Sequence, residues 1–143
     1  MKGLRILDLT RVLAGPWAVQ HLADQGADVI KVESVTGDET RAFGPVIDGA
    51  STYFLCANRN KRSIVLDLKS EAGTEVLQGL LGWADVLVEN FRPGVADRLG
   101  FGWDDIRQQH PRLVYVAIHA FGDQDPTWRK RAGYDLLLQH MGG

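Results

Sequence analysis

The sequence has one cysteine, Cys56, which excludes a disulfide framework and any cysteine-built metal cluster. It has no charge excess to speak of: Lys+Arg 16 against Asp+Glu 18, a formal net charge of −2. A nucleic-acid binder needs a basic surplus to release counterions from phosphates, so that class is set aside. No apolar run approaches the ~18 residues of a membrane span. Met1-Lys2-Gly3 leads directly into Leu4-Arg5-Ile6-Leu7-Asp8, whose charges interrupt any signal-peptide core. The four histidines, His21, His110, His119 and His140, have no spacing that makes a metal site, so no metal is expected. No Ser/His/Asp order stands out. What is left is a chain of 143 residues, 45% apolar and 24% charged, long enough for one domain with a real core. The expectation is a soluble, cytoplasmic protein with no nucleic-acid and no membrane partner.

Five short runs rich in Val, Ile and Leu occupy residues 4–9, 28–32, 63–66, 85–88 and 112–118. They are continuous rather than alternating, as strands covered on both faces are. Helical patterns lie between them. Pro16 suits a first helical turn, Val19, Leu22 and Ala23 share a face, and Gly26 closes the helix. Ser70 is placed to cap a second helix, with Val76, Leu77, Leu80, Leu81 and Ala84 as its buried stripe. A third covers about 103–109. The alternation predicts an α/β fold, a mostly parallel sheet with helices on both faces. No repeat or interdomain linker interrupts it. Residues 34–50 lack periodicity and read as a long functional loop. Residues 51–57 read as a short apolar helix. A new helix starts at about 135, close to the last residue, as though the chain were cut inside a larger architecture.

In open α/β sheets ligands bind beyond the carboxyl ends of the strands. The first such turn, Thr10-Arg11-Val12-Leu13-Ala14-Gly15-Pro16, opens a helix and could offer backbone N–H groups to an anion. It is neither G-x-G-x-x-G nor a P-loop, and an ordinary strand–helix turn reads the same. Asn58-Arg59-Asn60-Lys61-Arg62 is either a phosphate clamp or a solvated basic loop. Lys69 follows the third strand. After the fourth, Glu89-Asn90-Phe91-Arg92-Pro93-Gly94 joins an amide, an aromatic ring and a cation, with Arg98 close behind. Phe91 is either a stacking ring or a core residue. Asp8 reads as a turn or capping residue, and Cys56 as a small buried hydrophobe.

Taken together, seven segments in order make the chain resemble the class III CoA-transferase family (CaiB/BaiF type). They are 7–16 (LDLTRVLAGP), 26–33 (GADVIKVE), 37–41 (GDETR), 60–64 (NKRSI), 66–69 (LDLK), 88–94 (VENFRPG) and 133–135 (GYD). The resemblance implies a Rossmann-like three-layer αβα fold. This chain would be the N-terminal, CoA-binding part of the large domain, ending before the second, smaller domain. It implies coenzyme A as the shared substrate, moved from an acyl-CoA donor to a carboxylic acid acceptor. Leu13 and Ala14 would meet CoA through backbone, and Leu66 and Lys69 would lie beside the nucleotide. Asn90, Phe91, Arg92 and Arg98 would hold adenine or phosphate, and Tyr134 and Asp135 would lie near the thioester.

The family's chemistry uses an Asp nucleophile and an aspartyl intermediate. That Asp is expected beyond Gly143, so no catalytic residue is expected in this chain. Asp8, Asp67 and Glu89 are expected to orient turns, and Asp135 to position rather than attack. A related racemase branch has a His where Tyr134 stands, which argues against racemisation. Ala120 and Asp125 replace glycines common in the family, and Ser34 stands where some members place an Arg. Full-length members form interlocked homodimers; this chain alone is not expected to. The alternatives are an acyl-CoA racemase fragment and a non-catalytic CoA-binding or subunit-association module.

Overall fold

The computed structural model describes residues 1–122, 126–129, 131, 133 and 135–142. Its main sheet has five strands: β1 (Arg5–Asp8), β2 (Asp28–Glu33), β5 (Arg62–Val65), β6 (Val86–Glu89) and β7 (Val114–Ala117). A two-stranded ribbon, β3 (Val46–Ile47) and β4 (Ala50–Ser51), lies apart from it. The five strands lie in the order β5-β2-β1-β6-β7, and every neighbouring pair is parallel. All five predicted runs are strands, shifted by one or two residues at their ends.

The connections are α1 (Ala14–Asp24), α2 (Thr52–Asn58), α3 (Glu71–Trp83), α4 (Val95–Arg98) and α5 (Trp103–Gln109). Two short helices, α6 (Pro126–Arg129) and α7 (Asp135–Gly142), follow β7. Strand alternation sends side chains to two separate cores. Ile6, Val29 and Val88 pack with Val19 and Ala23 of α1 on one face. Leu7, Leu9, Val32 and Leu87 pack on the other with Leu77 and Leu81 of α3, Phe101 and Ile106. The layering is therefore the Rossmann-like αβα sandwich.

Local chemistry explains the boundaries. The Ser70 hydroxyl accepts from the Gly73 amide and caps α3, as expected. Gly26 takes φ +92° just past α1, a left-handed turn suited to glycine. Two expectations fail. Val76 is exposed: it lies one residue, about 100° of helix, off the Leu77–Leu81–Ala84 stripe. Cys56 is exposed too, because α2 turns Phe54, Ala57 and Asn58 inward and leaves Cys56 on the opposite side. The segment 34–50 is ordered rather than structureless. It holds a 3-10 turn (Glu39–Ala42) and the β3–β4 ribbon, with Asp38 and Thr40 buried beneath them.

Candidate active site

From β1 the chain winds to β2 and β5 on one side, and β6 and β7 lie on the other. The order reverses between β1 and β6, and that crevice is where such sheets bind ligands. Carboxylates turn the chain there by one repeated device: each accepts the amide two residues on. Asp8 accepts from Thr10 N at 2.9 Å, Asp67 from Lys69 N at 3.0 Å and Glu89 from Phe91 N at 2.6 Å. All three orient turns, as the sequence predicts.

The loop after β1 is shaped for close approach. Asn90 holds Arg11 at both ends of its peptide unit, accepting from Arg11 N and donating to Arg11 O, each at 2.8 Å. Val12 sits at φ +68°, a strained region for a β-branched residue. Leu13 is the N-cap of α1 and offers no side-chain cap, and the first turn holds no acidic residue. The amides at the start of α1 are thus left for an external acceptor. A Cβ at Gly15 would come 2.5 Å from that of Thr10, so only glycine lets the helix start this close to the strand.

The cations divide sharply. In the 58–62 loop Arg59 bonds Asp24 at 2.6 Å, Lys61 bonds Asp8 at 2.8 Å and Arg62 bonds Asp28 at 2.7 Å. The loop is a set of intramolecular ion pairs, which answers the question between clamp and solvated loop with neither. Among the described residues, Arg11, Lys69, Arg92 and Arg98 have exposed side chains and no carboxylate partner. These four follow the carboxyl ends of strands β1, β5 and β6, whereas Lys2 and Arg112, also exposed and without an ion pair, precede the amino ends of β1 and β7. The end of β5 lies three strand spacings from that of β6, about 14 Å along the rim. An extended polyanion spans that distance; a single phosphate does not.

Between β6, α4 and α5 a cleft of about 130 Å³ opens beside Arg92, lined by Glu89, Asp97, Trp103, Tyr115 and His119. Glu89 accepts the Tyr115 hydroxyl at 3.1 Å, and His119 Nε2 lies 3.7 Å from the same oxygen. Burial and the Glu89 carboxylate push the Tyr115 phenol well above its ordinary value, so it stays a proton donor. A larger groove of about 380 Å³, around Arg5, Asp85, His110 and Arg112, lies at the amino ends of the strands.

Beneath the β1 loop runs a buried chain of charge. Lys61 and Asp8 pair with their side chains about 1% and 0% exposed, and Lys31 pairs with Asp38 at 3.0 Å, both 1% exposed. Beside them Glu33 accepts from Arg41 through both oxygens, and from Ser63 and the Asp38 amide. Burial alone would raise Glu33; these donors overcome it and hold the carboxyl down to about 2. Sequence reasoning assigned no role to Lys31, Asp38 or Glu33. The available signal was Lys31 itself, a lysine inside the apolar run Val29-Ile30-Lys31-Val32, since lysine is rarely fully buried without a partner.

The predicted residues fall as follows. Leu13 and Ala14 form the β1 loop and the start of α1, and Leu66 and Lys69 follow β5. Asn90, Phe91 and Arg92 follow β6, and Arg98 ends α4. Phe91 is partly core, packed at 6.0 Å ring-to-ring against Phe101, and both polar atoms of Asn90 are engaged by Arg11. Tyr134 lies outside the described residues; Asp135 begins α7, with its side chain outside them. Among the described residues no three metal-ligating side chains gather. No helix among them is long and apolar enough to cross a membrane.

The family model described as CoA-transferase family III matches residues 1–143. The chain is 49% identical over 144 residues to the formyl-CoA:oxalate CoA-transferase of Streptomyces avermitilis, covering 100% of this chain and 35% of that protein. It is 44% identical over 145 residues to the succinyl-CoA:glutarate CoA-transferase of Homo sapiens, covering 100% of this chain and 33% of that one. The crystal structure of a CaiB/BaiF family protein from Brucella suis superposes with a TM-score of 0.93 at 45% identity, over 99% of this chain and 39% of that chain. Rv3272 from Mycobacterium tuberculosis gives 0.92 at 41%, over 100% and 40%. The chain spans about a third of the length of the curated relatives it matches. Its full-length match to the family, on the Rossmann-like sheet built here, makes it a member of CoA-transferase family III.

Proposed function

We propose that this chain is the N-terminal, coenzyme A-binding part of an enzyme that moves CoA from an acyl-CoA to a carboxylic acid. The observation that carries the reading is the rim of unpaired cations, Arg11, Lys69, Arg92 and Arg98, around an uncapped helix start. CoA is a long polyanion with an adenine at one end, which fits that spread of charge. Lys69, Arg92 and Arg98 neutralise its phosphates, Leu13 and Ala14 donate backbone amides, and Leu66 and Phe91 give the nucleotide apolar support. Asn90 contributes by fixing Arg11. By the family's sequence pattern, Tyr134 and Asp135 are assigned to the thioester end.

The reaction proceeds on an Asp outside this chain. Its carboxylate attacks the acyl carbonyl, the C–S bond breaks, and CoA leaves as thiolate, giving an acyl-aspartyl anhydride. The thiolate then attacks the aspartyl carbonyl, expels the donor carboxylate and leaves an enzyme thioester. The acceptor carboxylate repeats both steps in reverse and departs as its CoA ester. Splitting one exchange into such steps is what a covalent carrier supplies. The whole enzyme works in the cytoplasm as an interlocked homodimer; this chain alone does neither the transfer nor the interlocking.

Calorimetric titration with CoA is the test. The chain is expected to bind CoA, and Arg98→Ala to weaken it about ten-fold or more, since a charge-assisted contact contributes about 1.5–3 kcal/mol. No binding by the folded chain, or unchanged affinity in the variant, overturns the assignment. Incubation with an acyl-CoA panel should give no adduct by mass spectrometry; an acyl adduct on Asp135 with turnover would contradict the placement of the nucleophile.

A further inference from the structure

The turn after β1 is gripped at both ends by buried lysines. Lys31 Nζ donates to Thr10 O at 2.7 Å, and Lys61 Nζ donates to Pro16 O at 2.8 Å. Thr10 and Pro16 bracket the 11–15 stretch that carries the left-handed Val12 and the uncapped start of α1. Each lysine also has its own carboxylate, Asp38 for Lys31 and Asp8 for Lys61. Asp8 in turn holds Thr10 through both its amide and its hydroxyl.

Such an arrangement is expensive as mere scaffolding. Two buried ion pairs cost desolvation that apolar residues of similar volume avoid. What it does achieve is geometric. Lysine ammonium groups on two carbonyls hold those oxygens toward the buried lysines, and with the Arg11 amide already held by Asn90 they fix the loop's backbone from three sides. The cations also lie behind the same amides that would meet an anion.

We propose that Lys31 and Lys61 are positioning residues that preset the 11–15 loop for the phosphates of CoA. The inference rests on the CoA reading above and adds to it a mechanism of loop control. It also ties two segments together, because Asp38, the partner of Lys31, belongs to the 34–50 segment and is bonded there to Thr40. A change in that segment reaches the β1 loop through Lys31.

The experiment uses charge-balanced pairs, so that no buried charge is left alone: Lys61→Met with Asp8→Asn, and Lys31→Met with Asp38→Asn. Each is titrated with CoA and, separately, with pantetheine, which lacks the phosphates. The wild-type chain must first bind CoA; if it does not, the CoA reading itself fails. With that in place, each double variant is expected to lose about ten-fold in CoA affinity while pantetheine binding stays within two-fold. A structural role alone would weaken both ligands together. Folded variants that bind CoA as tightly as wild type, or lose both ligands in parallel, overturn the proposal. A wild-type measurement stands beside it. The side-chain ammonium resonances of Lys31 and Lys61, slow to exchange when buried, should both shift on saturation with CoA. Unmoved resonances would overturn it without any variant having to fold.

Discussion

Two basic stretches that look alike in sequence behave as opposites. Residues 58–62 carry three cations in five positions, and each is bonded to a carboxylate of a neighbouring element. The loops after β5 and β6, with α4, carry Lys69, Arg92 and Arg98 more sparsely, and none of these has a carboxylate partner among the described residues. The denser cluster is taken up by intramolecular ion pairs, of which only Lys61–Asp8 is buried; the sparser one has no carboxylate partner among the described residues. Cation density is therefore a poor guide to which cations stay unpaired. What discriminates is the presence of a carboxylate within reach, and that depends on which strand ends lie side by side.

The largest effect that would sharpen this contrast lies in the dense cluster. Lys61→Met strips Asp8 of its cation in a fully buried site, and should cost about 3–5 kcal/mol of stability in urea denaturation. Arg98→Ala should leave the urea midpoint in place and weaken CoA instead. Gly15→Ala pushes a Cβ to 2.5 Å from Thr10 and forces the β1 loop aside. It should cost about 1–3 kcal/mol and reduce CoA affinity as well, because it acts on both the fold and the loop.

Acid is a milder probe. Glu33 is held down to about 2 in the folded chain from an ordinary 4.5. Its contribution to stability is thus fully present above pH 4.5 and is lost as pH falls toward 2. Urea midpoints measured from pH 5 to pH 2.5 should fall in the wild type and fall less in Glu33→Gln. The smallest effect belongs to Arg59→Ala. The Arg59–Asp24 pair is exposed, with the arginine side chain 58% accessible, so its loss should change stability by about 0–1 kcal/mol and leave CoA binding alone.

Much of this is legible in the amino-acid sequence alone. The five apolar runs are the five strands of the main sheet: the central β1, β2 and β6 are largely buried, as a continuous apolar run implies, whereas the edge strands β5 and β7 are mostly exposed. Ser70 caps α3 because a hydroxyl at that position can accept from an otherwise unpaired amide of the first turn, here that of Gly73. The positions of Lys69, Arg92 and Arg98 beyond strand ends followed from the alternation alone. The pairing of the 58–62 cations did not, since Asp8, Asp24 and Asp28 lie 34 to 53 residues away and meet them only through the sheet order. The role of Asn90 was hidden for the same reason, 79 residues separating it from Arg11. Lys31 gave a signal in its apolar neighbourhood, but its target is a backbone carbonyl, which sequence does not mark.

The most direct test of the account is a CoA titration of two double variants side by side, Arg92→Ala with Arg98→Ala and Arg59→Ala with Arg62→Ala. Both remove two positive charges, so overall charge does not distinguish them. The account predicts that the first pair loses CoA affinity by about a hundred-fold at unchanged thermal stability, from two contacts of at least ten-fold each. It predicts that the second binds CoA within about two-fold of wild type. Equal losses in the two variants, or a larger loss in the second, would contradict it.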